Sequence, residues 1–499
     1  MRHVISAGRQ LFVARFYLLL LVCVILVSAG RAAAPADGTE STSPGRAEAN
    51  EAQAALLKCA FRVANQTEQN DARAGAKLDI ARKLADLGRT DEAAKLLSEV
   101  RETVKALPPA VRVFGFPVQI PGVYARMGRF EEALSLADKE DRAASVQARC
   151  RIASAMFRAG KGDMGLRVMK VARRQMAELE EPGALPNVVA EAYARGAYYG
   201  RALEIARETQ EDWNKAGALS VIAAQWMKSG GKRPPENVIS GLIETTKDIG
   251  ASEHESHALR YIAEAFAKAG EVEKALWLCD RISDSEYRVK VKMCAAEALI
   301  EEGDIDRALN LLDEPYEMAR DLHGVLPPSK ITGLYARAGR YERALELVRT
   351  ASEHSGWLSE ALAWVARVRA EKGDMEAGME TLSKALEMAV EGANKPVHPD
   401  FPPPEPPDAW QMDGNLKAVA TTWAGAVLKN PDSRILNEAL KTIARIERPW
   451  DRITALKKLA DICGQIELVL DQESREILDD ICSAKSSGEK NEETGSQQK

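Results

Sequence analysis

The residues best able to do chemistry are scarce in this 499-residue chain, which holds six histidines and seven cysteines. His254 and His257 stand three apart near a helix start, a spacing that can bring two imidazoles to one metal ion. No third ligand lies near them in sequence, so the pair reads as solvated histidines on a polar helix end. Outside Cys23, the cysteines are Cys59, Cys150, Cys279, Cys294, Cys463 and Cys482, with no C-x-x-C pair among them. An even number in an exported chain invites disulfides. Cys463 and Cys482, however, end successive antiparallel helices, roughly 15–20 Å apart at ~1.5 Å of rise per residue. Buried free thiols are the expected state, with Cys279 at a core position. There is no G-x-S-x-G, no Walker loop, no H-E-x-x-H and no dinucleotide glycine fingerprint. Most carboxylates sit beside lysine or arginine on solvated helix faces, as ordinary i,i+4 support. The expectation is a chain with no catalytic residue, no cofactor and no metal, and not an enzyme.

Charge offers one recurring pattern. In four places a large aromatic residue is followed by alanine and then a base: Arg126, Arg195, Lys268 and Arg337. These four are the candidate peptide-binding residues, a ladder for an acidic peptide or a C-terminal carboxylate. The competing reading is that they are cations placed at helix C-termini, where the helix dipole favours them.

The elements that carry the ladder repeat visibly. YARMGRFEEALSLAD (124–138), YARGAYYGRALEIAR (193–207), FAKAGEVEKALWLCD (266–280) and YARAGRYERALELVR (335–349) share one spacing, and 83–97 and 298–313 are looser copies. A large apolar residue is followed by glycine at +4, an apolar or small residue at +6 and alanine at +9, as in Tyr335, Gly339, Tyr341 and Ala344. The glycine can take positive φ and end one helix. The residues from +6 onward make one apolar stripe of the next helix. The alanine lets the two helices approach. Turn glycines are read at Gly88, Gly128, Gly162, Gly270, Gly303, Gly339 and Gly373, with Ala197 in the equivalent place and Gly230 or Gly231 in a further copy. Steps are mostly 33–36 residues.

This spacing resembles the tetratricopeptide repeat, whose motif has an aromatic, glycine four later, an aromatic six later and alanine nine later. Tyr124, Gly128, Phe130 and Ala133 match it, as do Tyr335, Gly339, Tyr341 and Ala344. The family's early Trp and Leu-Gly positions are mostly absent, and the Gly162 and Gly373 copies offer Arg167 and Gly378 where the later alanine belongs. The resemblance covers residues 71–390 well and 413–483 only by helical pattern. It implies an all-α, right-handed α-solenoid of about 10–12 helix-turn-helix repeats, because one hairpin cannot bury its apolar face without stacked neighbours. It also implies a concave groove bordered by the ends of the first helices, where the four bases would stand.

Residues 1–34 read as a signal peptide. Arg2, Arg9 and Arg15 precede twelve uninterrupted apolar residues, 16–27, and then small residues suited to cleavage after Ala29 or Ala32. The apolar run is shorter than the ~20 residues a membrane anchor wants. Residues 35–46 read as a flexible spacer and 47–392 as the repeat solenoid. Residues 393–412 form a Pro-rich insert, with seven prolines between Pro396 and Pro407, which runs as polyproline II, either as a passive loop or as a ligand. Residues 413–483 are expected to cap the solenoid and 484–499 to be a disordered tail. Pro108, Pro109, Pro182, Pro186, Pro234, Pro235, Pro327 and Pro328 are placed between hairpins. The eight tryptophans are expected mostly in the core, with an exposed subset able to anchor a partner.

Formal net charge is −6, and loss of four N-terminal arginines would make the surface more acidic still. Such a surface disfavours nucleic acid. The function expected is therefore an exported, non-catalytic scaffold, periplasmic or secreted, that binds a protein or peptide partner, acidic in keeping with the ladder. Membrane contact is expected only through the N-terminal segment if it is uncleaved. The alternatives are an RNA-binding, pentatricopeptide-like protein, since FAKAGEVEKAL also resembles that repeat, and an accessory subunit of an envelope enzyme complex.

Overall fold

A computed structural model describes residues 44–483, except residue 68, residue 467 and segments 109–114, 230–233, 322–327, 351–354 and 392–408. The signal peptide, nearly all of the spacer, the prolines of the insert and the tail therefore lie outside the described residues. The described residues form helices and no strand.

Helix α1 (Pro44–Asn65) stands first and begins inside the expected spacer. Hairpins follow: α2 (Asn70–Asp86) with α3 (Thr90–Ala106), α4 (Phe116–Arg126) with α5 (Phe130–Ala137), and α6 (Arg142–Arg158) with α7 (Gly162–Ala177). Next come α8 (Leu185–Arg195) with α9 (Tyr199–Glu208), α10 (Asp212–Lys228) with α11 (Glu236–Thr246), and α12 (Ser252–Lys268) with α13 (Val272–Cys279). Then α14 (Ser285–Glu302) pairs with α15 (Ile305–Asp321), α16 (Pro328–Arg337) with α17 (Tyr341–Thr350), and α18 (Ser355–Glu371) with α19 (Met375–Glu391). The last elements are α20 (Ala409–Ala424), α21 (Ser433–Ala444), α22 (Pro449–Cys463) and α23 (Gln472–Ser483). The chain is an all-α helical repeat protein.

The turns at Gly88, Gly128, Gly160, Ala197, Gly270, Gly303, Gly339 and Gly373 close by the same hydrogen bonds. In the clearest copy the Arg340 amide donates to the Tyr335 carbonyl at 2.8 Å and the Gly339 amide to Ala336 at 2.9 Å. Gly339 sits at φ 78°. This is a Schellman closure, which needs a left-handed residue just past the helix end. The chain thus places the large apolar residue, the carbonyl acceptor, and the glycine four apart for one geometric reason. The alanine slot is fully buried in every clear copy, at Ala133, Ala202, Ala275 and Ala344.

One copy is out of the register read from sequence. Gly160, at φ 70°, makes the turn before α7, while Gly162 is the first residue of that helix. The residue in the alanine slot is therefore Gly165 and not Arg167. Ala197 does take the glycine place, at φ 62°, the one non-glycine with positive φ among the described residues. Pro186, expected between hairpins, is the second residue of α8, where its missing amide hydrogen costs no helix bond; Pro121 in α4 and Pro315 in α15 stand inside helices.

The first helices of the hairpins pack broadly on one another in succession, whereas their partners pack on the first helices of their own and the next hairpin and mostly not on one another. Neighbours are closer on the shorter circumference, so α2, α4, α6, α8 and their counterparts form the inner layer. At the end of the chain the stack is not capped. Helix α22 packs on α1 as broadly as two helices of one hairpin do, and α23 lies between α21 and α1 in the outer layer. Helix α22 also touches α2. The expectation that 413–483 cap an open solenoid is thereby corrected: they close it into a ring, with the N-terminal helix completing the last hairpin. One hydrophobic core runs without a break from Ala52 to Cys482.

The seam is polar as well as apolar. Lys457 bonds Asp79 at 2.7 Å, Lys83 pairs with Asp461, and the Gln53 amide donates to the Ala460 carbonyl at 3.0 Å. A disulfide joins Cys59 of α1 to Cys482 of α23. Cys482 is therefore not a free thiol, because closure brings together two cysteines that an open stack would hold far apart. Cys150, Cys279, Cys294 and Cys463 are free and buried.

Candidate functional site

The inner helices end on one rim, and that rim carries the candidate bases. Arg126 pairs with Asp86, at the end of the preceding inner helix. Arg195 bonds Glu191, one turn back on α8, at 2.7 Å. Arg337 bonds Glu297 of α14 at 2.7 Å. Lys268 is exposed. Burial works against ionisation of Glu297, but Lys330 and Arg337 outweigh it and hold the carboxyl below the ordinary glutamate value. Two of the four bases thus tie one inner helix to the one before it.

The structure adds two members to this row. Arg158 follows Met156, and Lys228 follows Trp226, at the same +2 offset from the buried residue whose place Tyr124 and Tyr193 fill. Sequence reading missed them because their copies lack the aromatic–alanine pair. The offset alone, counted from Gly160, would have found Arg158. From α4 to α12 the rim then reads Arg126, Arg158, Arg195, Lys228 and Lys268 without a break. It is bounded by Asp86 before and Glu301 after, at the equivalent positions. The charges feel one another: burial, partly offset by Glu191, pushes Lys228 down, and Arg195 and Lys268 add to that. Burial, then Arg126, push Arg158 down to about 10 against the pull of Asp86.

Between α2, α4, α6 and α8 this rim carries a small, open cleft lined by Arg82, Gln119, Gly122, Arg126, Arg151, Ser154, Arg158 and Arg195. Gly122 forms part of its wall because a Cβ there would stand 3.2 Å from the Arg151 Cβ. Guanidinium groups at this density can bind anions bidentately, and none of them exchanges a proton near neutral pH.

His254 and His257 are not solvated. They lie half-buried among aromatic rings, with Trp213 at 5.3 Å and 5.8 Å from the two imidazoles and Tyr261 at 5.2 Å from His257. The Ser220 hydroxyl stands 3.2 Å from His257 Nδ1. Burial, then Arg260, pull His257 down to about 4, so it is neutral at pH 7. Among the described residues no three potential metal ligands come together. Trp226 and Trp423 are core residues, while Trp213, Trp277 and Trp450 are exposed. No described helix is long and apolar enough to cross a membrane.

No family model and no curated protein matches the chain. Among solved structures, it is similar to Ton1535 from Thermococcus onnurineus NA1, at 16% identity over 69% of this chain and 98% of that one, with a TM-score of 0.29. It is also similar to a circular tandem repeat protein with novel repeat topology, at 14% identity over 87% of this chain and 97% of that one, with a TM-score of 0.21. The helices, their turns and the closed seam define the fold.

Proposed function

We propose that this chain is a non-catalytic, tetratricopeptide-like binding ring, exported to the periplasm or secreted, that holds an acidic protein or peptide against its inner rim. The observation that carries the reading is the unbroken row Arg126, Arg158, Arg195, Lys228 and Lys268 at equivalent helix ends. A row of cations at a fixed repeat offset suits an extended partner whose carboxylates recur along its length. The ion pairs that Arg126 and Arg195 make do not remove this: Asp86 serves two arginines, and Lys268 is exposed. Export is supported by the basic, apolar and small-residue order of residues 1–34.

The test uses the full mature chain and a fluorescein-labelled, glutamate-rich peptide, followed by anisotropy at low and moderate salt. Binding should weaken by about tenfold or more when Lys228 and Lys268 are both changed to glutamate, and also as salt shortens the screening length below ~10 Å. Equal binding by the double variant would sink the peptide reading. Preferential binding of single-stranded RNA of similar length would replace it with the nucleic-acid one.

A further inference from the structure

The cleft at the start of the rim differs from the rest of the row in kind. Further along the row, α10 and α12 contribute one base each, Lys228 and Lys268. Here α2, α4, α6 and α8 send Arg82, Arg126, Arg151, Arg158 and Arg195 into one space. Three carboxylates accompany Arg82, Arg126, Arg158 and Arg195, and each has a second partner. Asp86 takes both Arg126 and, at 3.7 Å, Arg158. Asp79 takes Arg82 at 3.0 Å and Lys457 at 2.7 Å. Glu191 takes Arg195 at 2.7 Å and the Gln225 amide at 3.0 Å. The Gln119 side-chain oxygen Oε1 accepts from Arg82 at 2.7 Å, so that guanidinium is held in place.

We propose that this cleft is a built site for a compact, multiply charged oxyanion of the phosphate class, gripped by Arg126, Arg158 and Arg195. The proposal deepens the reading above and rests on the same row of charges. A carboxylate offers one planar pair of oxygens and is satisfied by a single guanidinium fork. A phosphate group presents oxygens in several directions and carries nearly two charges at neutral pH, which suits forks arriving from three helices. Arg158 is the decisive member. Its side chain is half exposed, so it stands at the mouth, and it has only a half-share of Asp86 at the long end of ion-pair range. Gly122 keeps the wall open, since any side chain there would press on Arg151.

The experiment is calorimetric and thermal titration of the full mature chain with inorganic phosphate. Sodium chloride at matched ionic strength and sodium acetate serve as the other arms. Saturable binding is expected at about 1 mM phosphate or below, weakened about tenfold or more in Arg158→Gln and unchanged in the pair Lys105→Gln and Lys384→Gln, exposed lysines away from the rim. Phosphate acting no more strongly than matched chloride, acetate binding as tightly as phosphate, or an Arg158→Gln variant that binds normally would each overturn the site. If Arg158→Gln fails to fold, the comparison of phosphate with chloride on the unaltered chain decides alone. The labelled acidic peptide is titrated into the same preparations. Peptide binding without phosphate binding refutes only the cleft, and phosphate binding without peptide binding refutes only the peptide reading.

Discussion

Cys59 and Cys482 are bonded across 423 positions of sequence, their Cα atoms 5.1 Å apart. The bond joins the first helix to the last, so it locks a closure that the packing of α1 on α22 has already made. A cross-link spanning nearly the whole chain removes more disorder from the unfolded state than one closing a short loop.

Seam oxidation should therefore be visible in stability and in thiol count. Seven cysteines less the bonded pair leave five, and four once residue 23 is removed with a signal peptide. Titration of thiols in denaturant without reductant should return that number. The double variant Cys59→Ser with Cys482→Ser should lose about 4–6 kcal/mol on the chain-entropy account, seen as a lower Tm that reductant no longer changes. A Tm equal to that of the unaltered chain would mean the bond adds nothing.

Asp79 should make the seam sensitive to acid. Burial raises its pKa, but Lys457 and Arg82 outweigh burial and hold it below the ordinary aspartate value. A group whose folded pKa is depressed contributes stability above its unfolded pKa and loses it as pH falls through the folded one. Asp79→Asn should cost about 1–3 kcal/mol at pH 7, with the deficit closing below about pH 3.8. Denaturant melts of both chains across that window measure it.

His257 should work over a different range. Its folded value of about 4 lies below the ordinary imidazole value of 6.5, so between these limits the unfolded chain binds more protons than the folded one. Stability should rise with pH from about 4 to about 6.5 and then level off on this account. His257→Phe should flatten that slope. An unchanged slope would show that the imidazole titrates like a free one.

Two backbone positions should respond in opposite directions. Ala197 holds a left-handed conformation that L side chains resist, so Ala197→Gly should gain about 0.5–1 kcal/mol. Gly378 fills the alanine slot of its hairpin, and a Cβ there would stand 3.1 Å from the Ala366 carbonyl oxygen and 3.3 Å from the Ala370 amide. Gly378→Leu should cost about 3 kcal/mol or more because the neighbours are backbone and have no rotamer to change. Chemical denaturation of the two variants beside the parent checks both signs.

The hairpins were legible in the chain because their determinants are local. A positive-φ glycine four residues after a buried aromatic, and an alanine five after the glycine, are met within one turn and its flanking helices. Where the local signal was ambiguous, at Gly160 and Gly162, the reading slipped by two residues and took Arg158 with it. The row of bases at the inner helix ends was legible for the same reason, though only four of its members were read.

Closure was not legible. Whether a stack of hairpins stays open or returns on itself depends on a small rotation at every interface, summed over the whole chain, and no single interface encodes the sum. Only the tertiary structure therefore decided that α1 would complete the hairpin of α22, that Cys59 would find Cys482, and that Asp79 would meet Lys457. The arginine cleft is of the same kind. Arg82 and Arg195 each belong to an ordinary amphipathic helix, and only the curvature of the inner layer brings them to one space.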